Sequence, residues 1–140
     1  MNDLDFVLKR IDPWVEKYIC AGPSALDPLE VVGVGVWMLE AEVNNGGFDQ
    51  YYFNSAGDLA LQTVEALKAI GAGNTASLLS AANAEFPGSV PPVNRAERQE
   101  ALGRIRETVR FASLEAEFYR YEEDLLTLLA SYLRAHAGDG

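Results

Sequence analysis

Apolar residues recur three and four positions apart through most of this chain, the period of helices that bury one face. Leu4, Val7, Leu8, Ile11, Trp14, Val15 and Tyr18 open the pattern. Asp12-Pro13 falls inside it, where proline removes a hydrogen bond and presses on the preceding turn, so a short helix followed by a second one capped by Asp12 is expected. At Asp27-Pro28-Leu29-Glu30 an aspartate can cap, proline suits the first helical position and Glu30 can reach back, which opens a helix to about Val43. Its alternating stretch Val31-Val32-Gly33-Val34-Gly35-Val36 would also suit a buried strand. Length and the cap decide for helix, with Val32, Val36, Leu39 and Val43 as its stripe and two glycines that let a neighbouring helix come close.

Gly57-Asp58 reads as a stop and a new cap for a helix holding Leu61, Val64, Leu67 and Ile70, closed by Gly71 and Gly73. Leu78, Leu79, Ala82 and Phe86 mark the next helix, and Pro87-Gly88-Ser89-Val90-Pro91-Pro92 the longest loop. Asn94 then caps a charged helix. Phe111, Leu114, Phe118, Tyr121, Leu125, Leu128 and Tyr132 alternate spacings of three and four, a heptad-like seam on one last helix. The expected fold is all-α: a single compact domain over residues 1–140, of six to seven helices, with a long C-terminal amphipathic helix.

Between these helices lies Asn44-Asn45-Gly46-Gly47-Phe48-Asp49-Gln50-Tyr51-Tyr52-Phe53-Asn54. Two consecutive glycines open backbone angles closed to other residues, so a helix arriving at Val43 can stop, turn and restart at Phe48. Phe48, Tyr51, Tyr52 and Phe53 place four aromatics within six residues. Two uses of the motif stay open. Asn44 or Asn45 can satisfy free backbone groups, Gln50 and Asn54 can tie the turn to a neighbour, and Phe48, Tyr51 and Phe53 can fill core. Alternatively Asn45, Gln50, Tyr52 and Asn54, around the Gly46-Gly47-Phe48 turn, line a polar cleft for a peptide or small ligand.

The string NNGGFDQYYFN, the Gly57-Asp58 pair, Ala66 to Ala72, Leu114 to Tyr119 and Tyr132-Leu133 together resemble the bacterial DNA mimic protein 19 family over roughly residues 28–136. The resemblance implies a small, mainly helical, acidic protein. In one member it implies a dimer whose surface carboxylates imitate DNA phosphates and occupy a transcription factor; most relatives have no established role.

Composition bears on this independently. The 140 residues, 49% hydrophobic, suffice for one domain with a sizeable core. Twenty-one acids against eleven bases give a net charge of −10, which disfavours direct contact with nucleic acid or anionic membrane and favours basic partners; solubility alone would also account for it. Glu115, Glu117, Glu122, Glu123 and Asp124, with Glu40, Glu42 and Asp49, are the candidate partner-binding carboxylates. Acids beside the heptad-like seam would repel in a parallel pair, so the seam packs into the protein's own core, leaving a homodimer through another face open. Arg95, Arg98, Arg104, Arg106 and Arg110 are expected to pair with Glu97, Glu100 and Glu107 at helical spacings.

Catalysis has little to build on. His136 lies near the C-terminus, and Glu40 and Glu42, two apart, diverge on a helix. The glycines lack the lysine or serine of a phosphate loop, and Cys20 with His136 makes no zinc set. No catalytic residue, metal or cofactor is therefore expected. With no apolar run of membrane-spanning length and no basic signal-peptide head, a cytoplasmic protein is expected. The expected partner is a basic protein, such as a DNA-binding transcription regulator; alternatives are an immunity or antitoxin-like partner of a basic toxin, or small-ligand binding in the Asn45–Asn54 cleft.

Overall fold

A computed structural model describes residues 1–137. Among them are seven α-helices and no strand: α1 (Asp3–Ala21), α2 (Pro28–Phe53), α3 (Ala60–Ala69), α4 (Gly73–Asn83), α5 (Arg95–Ile105), α6 (Phe111–Phe118) and α7 (Leu125–Ala137). The central helix is α2, which packs against α1, α3, α5, α6 and α7. No helix among the described residues is long and apolar enough to cross a membrane.

The N-terminal helix corrects the two-helix expectation, because α1 runs unbroken through Pro13. The carbonyl that proline leaves without a helical partner belongs to Lys9, and both residues are on the exposed side, where water can satisfy it. Asn2, not Asp12, caps the helix, its side chain accepting from the Asp5 N–H at 2.8 Å.

The capping box of α2 forms as expected, with Asp27 accepting from Glu30 N–H at 2.8 Å and Glu30 from Asp27 N–H at 2.9 Å. Its glycines serve close approach: a Cβ at Gly33 would lie 2.6 Å from Ile11 Cδ1 of α1, and one at Gly35 would lie 2.5 Å from Thr63 Oγ1 of α3. The double glycine breaks the helical path, Gly46 at φ −156°, ψ 16° and Gly47 at φ 76°, ψ −171°, so α2 is two helical stretches joined by a kink.

Downstream, Asp58 does not cap α3. A 3-10 turn at Ser55–Leu59 leads into that helix, and Asp58 faces Tyr18 and Arg98 instead. Gly71, at φ 92°, turns the chain after α3, whereas Gly73 opens α4.

The long C-terminal helix is replaced by two, α6 and α7, with Tyr121 at φ 48° between them. Polar anchors outcompete helix continuation here. Asp124 caps α7 by accepting from Thr127 N–H at 3.1 Å, Glu123 crosses to the start of α4, and the Tyr121 hydroxyl donates to Glu40 of α2. The break shifts the apolar face, so α7 buries Leu125, Leu129 and Leu133, while Leu128 and Tyr132 are half-buried and Tyr121 is exposed.

The kink aims an aromatic cluster into the core. Phe48, Tyr51 and Tyr52 are fully buried, with Phe48 5.8 Å from Phe111 and 6.2 Å from Phe118, and Tyr52 4.7 Å from Phe86, between ring centroids. Tyr52 satisfies its hydroxyl by donating to Asn83 Oδ1 at 2.6 Å. Phe53, expected in the core, is exposed.

Candidate functional site

The amide-glycine-aromatic motif lies where α2 meets α5, α6 and the α6–α7 turn. At the kink the Phe48 N–H has no helical acceptor, and Glu115 of α6 takes it at 2.7 Å. The carboxylate fills the space beside Gly47, where a Cβ would come within 2.3 Å of Glu115 Oε2. Glu115 is thus half-buried and committed to the motif.

The C-terminal end of α2 is closed by three side chains of α5. Arg98, with no exposed surface, donates from Nε to Tyr52 O (2.7 Å), from Nη2 to Asn54 O (2.8 Å) and from Nη1 to Pro92 O and Val93 O (both 3.0 Å). Its Nη2 also lies 2.9 Å from Asp58 Oδ1. Arg95 and Gln99 both donate to Phe53 O, at 3.2 and 2.8 Å. These donors meet the carbonyls that every helix leaves open at its end.

This corrects the expected arginine–glutamate pairing along α5. Only Arg104 with Glu100 pairs within the helix. Arg106 grips Asp49 in a two-pronged contact, at 2.6 and 3.0 Å, and Arg110 meets Glu85. The sequence carried no signal for Arg98, since an arginine at helical spacing from acids normally stays in water; the structure makes room for it at Gly57, where a Cβ would meet Arg98 Nε at 2.6 Å.

The motif's polar residues do not converge on a cleft. Gln50 and Asn54 both donate their amide N–H to Glu42 Oε2, at 2.8 and 3.0 Å, and Asn54 Oδ1 accepts from Arg95. Tyr52 and Phe48 are buried, and Asn45 and Gly46 are exposed on the outside of the kink.

The α6–α7 turn gathers the candidate carboxylates differently. Tyr119 donates to Val43 O at 2.7 Å, which fastens the turn to α2. Tyr121 donates to Glu40 Oε2 at 2.8 Å and accepts from Asn44 Nδ2 at 2.7 Å. Burial, aided by the adjacent Glu40 carboxylate, pushes the Tyr121 hydroxyl up to about 12, so it stays a donor at neutral pH. Burial also raises the Glu40 carboxyl; the Tyr121 bond opposes this and the charge of Asp124 adds to it. Glu40 and Glu42 do diverge, towards Tyr121 and towards Gln50.

Glu123 accepts from Asn74 N–H, Thr75 N–H and the Thr75 hydroxyl, at 2.9, 2.8 and 2.8 Å, and so caps α4, whose own N-cap Ala72 has no side chain to do it. Burial works against its ionisation, but these three donors outweigh it and hold the carboxyl below the usual range. A depressed carboxyl stabilises the fold above its unfolded-state value, and that contribution is lost as pH falls through the folded one. Glu123→Gln is therefore expected to destabilise by about 1–2 kcal/mol at neutral pH. The difference from the parent chain should shrink on acidification, as read by thermal melts from pH 7 to pH 3.

Of the remaining candidates, Glu117 is exposed with no partner among the described residues, and Glu122, also exposed, lies 3.8 Å from Arg120. No group of metal-ligating side chains occurs among the described residues.

The fold and this arrangement define a small, acidic, all-α protein whose central kinked helix is clasped by α5 and by the α6–α7 turn. The chain belongs to the DMP19-like protein family, whose model matches residues 24–136. No curated protein and no solved structure matches it.

Proposed function

We propose that the protein acts by binding, without catalysis, and that it occupies the DNA-binding surface of a basic protein through carboxylates that stand in for phosphates. Family membership supports the reading, as does the net charge of −10. The observation that carries it is how the carboxylates along α2, α6 and α7 are held. Glu40, Glu115, Glu123 and Asp124 are oriented by O–H and N–H donors that bring no positive charge, and Glu117 stands free beside them. Most cations, meanwhile, are spent on ion pairs with other carboxylates, such as Lys17–Glu30 and Arg98–Asp58; of the candidates, Asp49 is neutralised by Arg106 and Glu122 lies 3.8 Å from Arg120. A surface of fixed, uncompensated negative charge exchanges a basic protein's counterions as DNA does.

The structure also selects the variant that tests this. Glu115 and Glu123 hold the fold, so neutralising them would confuse unfolding with lost binding. Glu117→Gln, Glu122→Gln and Asp124→Asn together leave the kink and the α4 cap intact, asparagine still serving as an N-cap. Affinity capture from lysate of the source organism should retain a DNA-binding protein that duplex DNA releases. The triple variant should retain at least about tenfold less of it, an effect expected of losing several charge contacts. Retention indifferent to DNA and to the triple variant would overturn the proposal.

A further inference from the structure

A cavity of about 250 Å³ opens beside the α6–α7 turn, lined by Leu4 of α1, Trp37, Glu40, Ala41 and Asn44 of α2, and Leu126 of α7. It is smaller than the roughly 300–1,000 Å³ of pockets that take whole small-molecule ligands, and suits a single side chain. Its walls are largely apolar, and its polar chemistry is set by Tyr121. Because the Tyr121 proton goes to Glu40 Oε2, the hydroxyl oxygen must accept from Asn44, which fixes that amide with Nδ2 towards Tyr121. Glu40 Oε1 and Asn44 Oδ1 are left as acceptors that no hydrogen bond among the described residues reaches.

Two acceptors, one a half-buried carboxylate, beside an indole and aliphatic walls ask for a donor-rich cation with an apolar stem. A guanidinium meets this better than an ammonium. It presents several donors in a planar fork, stacks on aromatic faces and is less costly to desolvate. The nearby charge of Asp124 adds to the attraction.

We propose that this cavity is the anchor point for one arginine side chain of the basic partner, its guanidinium between Glu40 and Asn44 and its methylenes against Leu4 and Leu126. This rests on the reading of the protein as a binder of basic proteins. It adds the residue type recognised and the place. Arginines that contact DNA phosphates are the side chains such a partner would present.

The test needs no partner. The ¹⁵N-labelled protein is titrated with N-acetyl-arginine amide, and in parallel with N-acetyl-citrulline amide, which has the same shape without the charge. The Trp37 indole and Asn44 amide signals should shift saturably with the arginine compound in the millimolar range, and at least about tenfold more weakly with citrulline. Glu40→Gln, which can still accept from Tyr121, should erase the preference, and Trp37→Leu should weaken arginine binding while leaving the fold. Equal binding of the two compounds, a preference that survives Glu40→Gln, or no saturable shift up to about 0.1 M would overturn the proposal. These outcomes are separable from the mimicry itself: failure here leaves DNA-competitive binding untouched, and failure of DNA competition leaves the arginine titration as it stands.

Discussion

Arg98→Met is expected to destabilise the protein by about 3–5 kcal/mol, the cost of removing one member of a buried ion pair. Methionine fills a similar volume but offers no donor. Three carbonyls, of Tyr52, Pro92 and Val93, would lose their partner at once, the Asn54 carbonyl would keep only the Gly57 N–H at 3.2 Å, and Asp58 would lose its counter-charge. Each unsatisfied buried acceptor costs about 1–3 kcal/mol before relaxation and water entry recover part of it. A domain of this size is stable by only about 5–15 kcal/mol, so the loss is a large share. Urea unfolding should show a lower midpoint with an unchanged slope. Arg98→Lys should recover only part of the loss, because an ammonium cannot span the same acceptors. A loss below about 1 kcal/mol for Arg98→Met would mean that the α2 end is closed chiefly by Arg95 and Gln99.

The second large effect is Gly47→Ala, expected to cost about 3–5 kcal/mol from two additive sources. At φ 76°, ψ −171° the residue occupies a region essentially restricted to glycine, worth about 1–3 kcal/mol. The new Cβ would also displace the Glu115 carboxylate, which lies 2.3 Å from its position, and with it the charge-assisted bond to Phe48 N–H, worth about 1.5–3 kcal/mol. Glu115→Gln separates the two, since it keeps the backbone and weakens only the bond. It should cost less than half as much. Near-equal losses for the two variants would place the whole effect in the carboxylate and remove backbone strain from the explanation.

What was legible in the chain follows from how local each cause is. The α2 start was readable from Asp27, Pro28 and Glu30, because a capping box is contained in four residues. The kink was readable from Gly46-Gly47 for the same reason. Pro13 misled because a proline's cost depends on whether the freed carbonyl faces water, which spacing does not reveal. The C-terminal seam misled because Tyr121, Glu123 and Asp124 respond to α2, α4 and Thr127, and two of those three anchors are distant in sequence. Arg98 lay beyond reach, as its acceptors come from three separate turns. The acidic character was evident from composition, but composition does not show that Glu115 and Glu123 are structural while Glu117 stands in solvent.

The central claim is that this protein and DNA compete for one surface. The most direct measurement takes the DNA-binding protein recovered by capture, bound to a fluorescent duplex, and follows anisotropy as this chain is added. Mutual exclusion predicts that anisotropy falls to the value of free duplex, with a midpoint that rises steeply with salt for the parent chain and shifts upward for the Glu117→Gln, Glu122→Gln, Asp124→Asn variant. A rise in anisotropy to a plateau, with DNA still bound in a ternary complex, would contradict it.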